Sequence, residues 1–194
     1  MFSEVVQLIR EVIEISDEQA KIVEDCIPIK NFGKGTILLK EGQISKESYQ
    51  NLSGLVRKYY IIDGNEVTTN FYEEGSSIAS FTSLHQKTPA KHYLECIEDC
   101  KLAVLNKDKE LELIKKVPQY ETLCRTSVEE ELGKQDDSLA SYLISSPEQR
   151  YLSLLKEKPK LINRVPLYYL ASYIGVKPES LSRIRKRIMN NTSK

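Results

Sequence analysis

The chain reads as an α+β protein in three parts. An eight-stranded jelly-roll barrel is expected over residues 1–117, a long connecting helix over 118–145 and a helix-turn-helix domain over 146–194. Three observations point there. Short β-like runs punctuated by turn residues fill the first hundred positions. One long stretch then lacks proline and almost lacks glycine. The C-terminal segment shows two helical periodicities joined at a glycine, with basic residues gathered on one side.

At the N-terminus, Phe2, Val5, Val6, Ile9, Val12 and Ile13 recur at helical spacing, so residues 2–15 are expected to form an amphipathic helix. Ser16 with Gln19 makes a capping box for a second helix reaching about Cys26. The period then changes. Ile27–Phe32, Thr36–Lys40, Tyr49–Leu52, Leu55–Ile62, Glu66–Tyr72, Ser77–Phe81, His92–Ile97 and Lys101–Leu105 are the strand candidates. Between them lie Gly33-Lys-Gly35, Glu41-Gly42, Ser53-Gly54, Asp63-Gly64 and Glu74-Gly75, and Asp63-Gly64 is the strongest hairpin signal. Eight short strands so spaced suggest a jelly roll.

Past Leu105 the strand signals stop. Lys107–Lys116 is a charged helix that must end before Pro118. From Gln119 to Ile144 there is no proline and one glycine, Gly133, so a single long helix is expected. Its apolar residues include Tyr120, Leu123, Cys124, Val128, Leu132, Leu139, Tyr142 and Leu143. Such a helix packs back on the barrel or pairs with a second copy, although Glu129-Glu130-Glu131 and Asp136-Asp137 interrupt its stripe. At Ser145-Ser146-Pro147-Glu148-Gln149, Ser146 caps, Pro147 takes the first helical position and Gln149 closes the box. That helix runs to Lys158 and sends Tyr151, Leu152, Leu154 and Leu155 into a second core.

In the last segment Pro166 suits a first helical position, and Leu167, Leu170, Ala171 and Ile174 follow at helical spacing up to Gly175. Pro178 opens a second helix whose buried stripe is Leu181, Ile184 and Ile188. The opposite face carries Glu179, Ser182, Arg183, Lys186 and Arg187, with Lys177 just before it. A carboxylate can accept from a cytosine amino group, and an arginine can fork onto guanine O6 and N7. Four residues apart, Glu179 and Arg183 share the helix end that faces base edges in a helix-turn-helix. A structural helical hairpin would not require that pairing.

The net charge is zero, yet it is divided. Residues 147–194 hold eleven Lys/Arg against three acids, a surplus of eight, and the first 146 residues hold the matching deficit. A polyanion partner for the tail alone is the reading. Cys26, Cys96, Cys100 and Cys124 show no CxxC, and Cys96-x3-Cys100 is too little for a zinc or iron–sulfur site. Buried free thiols in a reducing cytoplasm are expected, with no metal and no cofactor. The first residues lack the features of a signal peptide, and no apolar run approaches a membrane span, so a cytosolic protein is expected. No nucleophile–base set or phosphate-cradling glycine loop suggests an enzyme.

This order of parts resembles the CRP/FNR family of bacterial transcription regulators over nearly the whole chain. The sharpest pieces are Ser53-Gly-Leu-Val-Arg-Lys-Tyr-Tyr60, Phe71…Gly75 near the effector pocket, Pro147-Glu-Gln-Arg-Tyr-Leu152 and Glu179-Ser-Leu-Ser-Arg183. The resemblance implies a cyclic-nucleotide-binding-like sensor barrel, a dimerisation helix using Tyr120, Leu123, Val128, Leu132 and Leu139, and a DNA-reading helix. The Glu-x-x-Ser-Arg spacing resembles the FNR branch, whose half-sites contain TTGA, and implies Glu179, Ser182 and Arg183 as base readers. Pro178, Lys177 in place of a capping hydroxyl, and a winged-helix wing that is short or absent depart from the family.

The sensor half departs further. The family's Gly-Glu and Arg-Ser/Thr pairs for a cyclic nucleotide fall on Ala79-Ser80 and near Ala90-Lys91, with His92 beside them. Ser80 cannot supply the ribose-binding carboxylate, and Lys91 lacks the planar fork suited to phosphate. The resemblance therefore implies a vestigial barrel or an unknown small-molecule effector rather than cAMP. Iron–sulfur sensing lacks its N-terminal cysteines, and haem sensing would rest on His85 or His92 alone, each expected to be a polar surface residue. The alternative is a small-molecule-binding or protein-interaction module whose basic domain docks RNA or another polyanion.

Overall fold

The computed structural model describes residues 2–192; Lys194, counted in the basic surplus, lies outside them. Two short helices lead in, α1 (Glu4–Arg10) and α2 (Asp17–Cys26). The Ser16/Gln19 capping box forms as expected. Helix α1 is shorter than the 2–15 expectation because its buried stripe is only Val5, Val6 and Ile9. Val12 already faces water, and Ile13 and Ile15 reach the same cluster from the turn that follows the helix.

The strands are β1 (Ile29–Phe32), β2 (Ile37–Leu39), β3 (Glu47–Ser53), β4 (Val56–Ile62), β5 (Asn65–Tyr72), β6 (Ser77–Ile78), β7 (Tyr93–Cys96) and β8 (Cys100–Asn106). They form two antiparallel sheets, ordered β1-β8-β3-β6 and β2-β7-β4-β5. Asp63 and Gly64 both take positive φ, 50° and 76°, the mirror-image turn whose twist matches a tight hairpin between β4 and β5. Between the sheets lie Leu39, Val56, Ile78, Leu94, Leu102 and Val104.

One strand expectation is corrected. Ser77–Phe81 is a strand only over Ser77–Ile78, because β6 finds just Tyr49 and Gln50 as ladder partners. The chain then turns into α3 (Phe81–Gln86), which sequence periodicity missed.

Helix α4 (Lys107–Lys116) and the start of α5 (Gln119–Ile144) close a second cluster with α1 and α2 through Val6, Val23, Leu113, Val117 and Tyr120. Then come α6 (Pro147–Glu157), α7 (Pro159–Arg164), α8 (Leu167–Ile174) and α9 (Pro178–Thr192). The Ser146/Gln149 box caps α6 as expected. Helix α7 was not anticipated, since six residues are too few for a periodic signal. Tyr151 and Leu154 enter the core and Leu155 packs at its edge, whereas Leu152 stays exposed, on the far side of α6. Pro166 is the N-cap of α8 rather than its first helical residue, with extended ψ of 141°.

Candidate functional site

Helix α9 begins where the chain leaves α8 through Gly175, at φ +80°. A Cβ there would lie 2.5 Å from the Tyr142 hydroxyl, so only glycine allows this close turn. Val176 N–H donates to the Ala171 carbonyl, and Ser180 and Leu181 N–H donate to the Lys177 carbonyl, which starts α9. Leu181 and Ile184 bury against Leu170, Ala171 and Ile174 of α8. That burial turns Glu179, Ser182, Arg183, Lys186 and Arg187 outward, and all five are exposed, as is Lys177.

The expected DNA-reading residues thus share one accessible surface. The Arg183 guanidinium lies back along α9, donating to the Glu179 carbonyl and the Ser180 hydroxyl at 3.4 Å each. Arg187 pairs with Glu148 at the start of α6. Between α6 and α9 runs an open groove of ≈470 Å³, lined in part by Ser146, Glu148, Arg183 and Arg187.

Arg150 holds this head together, although only its neighbourhood stood out in the sequence. Its Nε donates to the Ile174 carbonyl, its Nη1 donates to the carbonyls of Tyr142 and Ser145, and its guanidinium lies 4.3 Å over the Tyr142 ring. The C-terminal ends of α5 and α8 carry partial negative charge, and one cation serves both.

Along α5, Val128, Leu132, Leu139 and Leu143 fall within an arc of about 60°, and all are exposed, Leu132 at 60% and Leu143 at 74%. Tyr120 and Leu123 do not belong to this stripe. They point to the opposite side of the helix, where Tyr120 is buried in the cluster with α2 and α4 and Leu123 packs against it. Sequence reading grouped all five because it saw apolar residues on one helix and not which side the barrel would occupy.

In the barrel, the residues assigned to an effector pocket part company. Ser80 is buried as the N-cap of α3, Ala79 is half-buried beside it, and Lys91 faces solvent. His92, expected at the surface, is buried, and its Nε2 has no hydrogen-bond partner among the described residues. It lies against the Tyr60 ring, 5.6 Å between centroids. Burial, with Lys58 nearby, pushes its pKa down to about 4, and burial also lowers Lys58. Phe71, expected to approach the pocket, instead sits on the outer face of β5 against Tyr173 of α8.

Three of the four cysteines are buried, and Cys124 is half-buried. Among the described residues no group of His, Cys, Asp and Glu could hold a metal, and no helix is long and apolar enough to cross a membrane.

Comparison with known proteins agrees with this architecture. The cyclic nucleotide-binding domain family model matches residues 29–117. FixK2 from Bradyrhizobium japonicum superposes with TM-score 0.72 at 16% identity, covering 86% of each chain. A protein from Eubacterium rectale described as a transcriptional regulator of the CRP/FNR family gives 0.71 at 16% identity, over 91% of this chain and 85% of that one. The CLP regulator from Xanthomonas campestris, described as responsive to c-di-GMP, gives 0.71 at 14% identity, over 91% and 93%. No curated protein matches the sequence.

Proposed function

Residues 29–117 being a cyclic nucleotide-binding domain in a chain with the fold of CRP/FNR regulators, we propose that the protein is a cytoplasmic transcription regulator that reads palindromic DNA as a homodimer. The observation that carries this is the exposed face of α9. Glu179, Ser182 and Arg183 meet base edges at its N-terminal end, while Lys177, Lys186 and Arg187 contact phosphates. A helix-turn-helix needs two copies to read two half-sites, and the exposed Val128, Leu132 and Leu139 stripe of α5 supplies the contact. Functionally the chain divides into a sensor over 1–117, a dimer helix over 118–145 and a reading head over 146–194.

The effector is not cAMP. Where the resemblance puts a ribose-binding carboxylate and a phosphate-binding arginine, this chain has the buried Ser80 and the exposed Lys91. Selection from random duplex DNA, followed by gel shift, tests the reading. An enriched palindrome bound by a dimer is expected. Enrichment of nothing, with equal affinity for RNA, would replace it by a basic docking module. Calorimetry with cAMP should show no binding in the micromolar range.

A further inference from the structure

The reading head does not hang free of the barrel. Strand β5 is an edge strand, and α8 lies along it. Ser172 of α8 occupies that edge: its hydroxyl accepts from Thr68 N–H at 2.9 Å and donates to the Glu66 carbonyl at 3.0 Å. Arg57 of β4 is 1% exposed and lies between two rings, 4.0 Å from Tyr59 and 3.7 Å from Tyr169 of α8. It is held by Glu95 and Glu66. At the other end, Arg164 of α7 forks onto Glu74 at 2.8 and 2.9 Å and onto Glu98 at 2.6 and 3.0 Å, and Lys158 reaches Glu73 at 3.0 Å.

The composition of this contact is informative. A permanent interdomain seam is mostly aliphatic, whereas here Leu55, Phe71 and Ile97 are bordered by three cations with their carboxylate partners, and by hydroxyls and tyrosines that water can solvate once parted. The partly exposed pairs of Arg164 and Lys158 contribute little net free energy and give geometry instead. The contact also leaves the basic face of α9 open. Strand β4 faces both ways. Lys58 and Tyr60 of β4 point toward His92, while Arg57 and Tyr59 meet α8.

We propose that Arg164, with Glu74 and Glu98, is the positioning clamp of a releasable latch that holds α7 and α8 on the outer face of β4–β5 and so sets the orientation of α9. Arg164 touches no base and acts through placement. In a dimer, fixing each head to its own barrel fixes the separation of the two reading helices, and so the half-site spacing the protein accepts. This rests on the DNA-reading function proposed above.

The test uses Arg164→Gln on one side, the pair Glu74→Gln and Glu98→Gln on the other, and all three combined, in the full chain. Hydrogen exchange on DNA-free protein should show the Thr68 amide and the α8 amides losing about tenfold in protection, with the β3–β8 ladder unchanged. On the selected palindrome, affinity should fall about tenfold while binding to an isolated half-site is kept. Preference for the best spacer over one lengthened by two base pairs should shrink. The combined variant should be no worse than either parent, because both lesions break one contact.

Unchanged exchange in every variant overturns the latch. Faster exchange with an unaltered spacer preference overturns its positioning role. A wild-type chain that selects no palindrome sinks the reading of α9 and the positioning role with it, whatever the exchange shows.

Discussion

Replacing His92 by leucine should change stability in a way that depends steeply on pH. The imidazole is 7% exposed and Nε2 finds no partner among the described residues. Its pKa stands near 4 against an ordinary value of 6.5. The folded state therefore binds fewer protons than the unfolded chain between those values, so stability is full above 6.5 and is lost as pH falls toward 4. At pH 7.5 both states are neutral and His92→Leu changes packing alone. It removes an orphan polar atom that costs about 1–3 kcal/mol and alters the core's shape at about 1 kcal/mol, so the net effect is neutral to mildly stabilising. At pH 5 the unfolded wild-type chain gains a proton that the folded chain refuses, a penalty of about 2 kcal/mol at 1.36 kcal/mol per unit. Leucine escapes that penalty.

Urea denaturation of both proteins at pH 7.5 and pH 5.0 measures it, and the advantage of the variant should grow by about 2 kcal/mol at the lower pH. Glu74, held near 2 chiefly by Arg164, titrates between 4.5 and 2 and leaves this window largely clear. If the difference between variant and wild type is the same at both values, the imidazole is not held neutral and the burial argument is wrong.

Leu132→Glu places a charge in the exposed α5 stripe and should leave a monomer by sedimentation at tens of micromolar, with the fold intact by circular dichroism; an unchanged dimer would move the interface elsewhere. Gly175→Ala forces a side chain to φ +80° and displaces Tyr142, and should cost about 1–2 kcal/mol for the backbone alone, read by thermal unfolding. Arg183→Ala should weaken the selected site by about 1–3 kcal/mol and relax choice at one base pair per half-site. Lys186→Ala should weaken all sequences alike and lower the salt slope by about one, so equal behaviour of the two in salt-dependent gel shifts would reduce α9 to a basic patch.

Much of the architecture was legible because its signals are local. The Ser16/Gln19 and Ser146/Gln149 boxes are contacts three residues apart, and Asp63-Gly64 needs only its own dihedrals. The bounds of α5 follow from the absence of proline between Gln119 and Ile144. Leu181 and Ile184 bury, leaving Glu179, Arg183 and Lys186 outside, because 3.6 residues make a turn wherever the helix lies.

What stayed hidden depends on which surfaces meet. Nothing near Tyr120 says that the barrel covers its side of α5 and leaves Leu132 bare. His92 looks like a surface residue until the fold sets it against Tyr60 and Lys58 of β4. Ser172 meets Thr68 across 104 positions and Arg164 meets Glu74 across 90. Side-chain periodicity decides which face of an element is apolar, but only the packed chain decides what that face touches. Residues whose roles lie in long-range contacts, Arg57 and Arg164 foremost, therefore carry no local signal of those roles in the sequence.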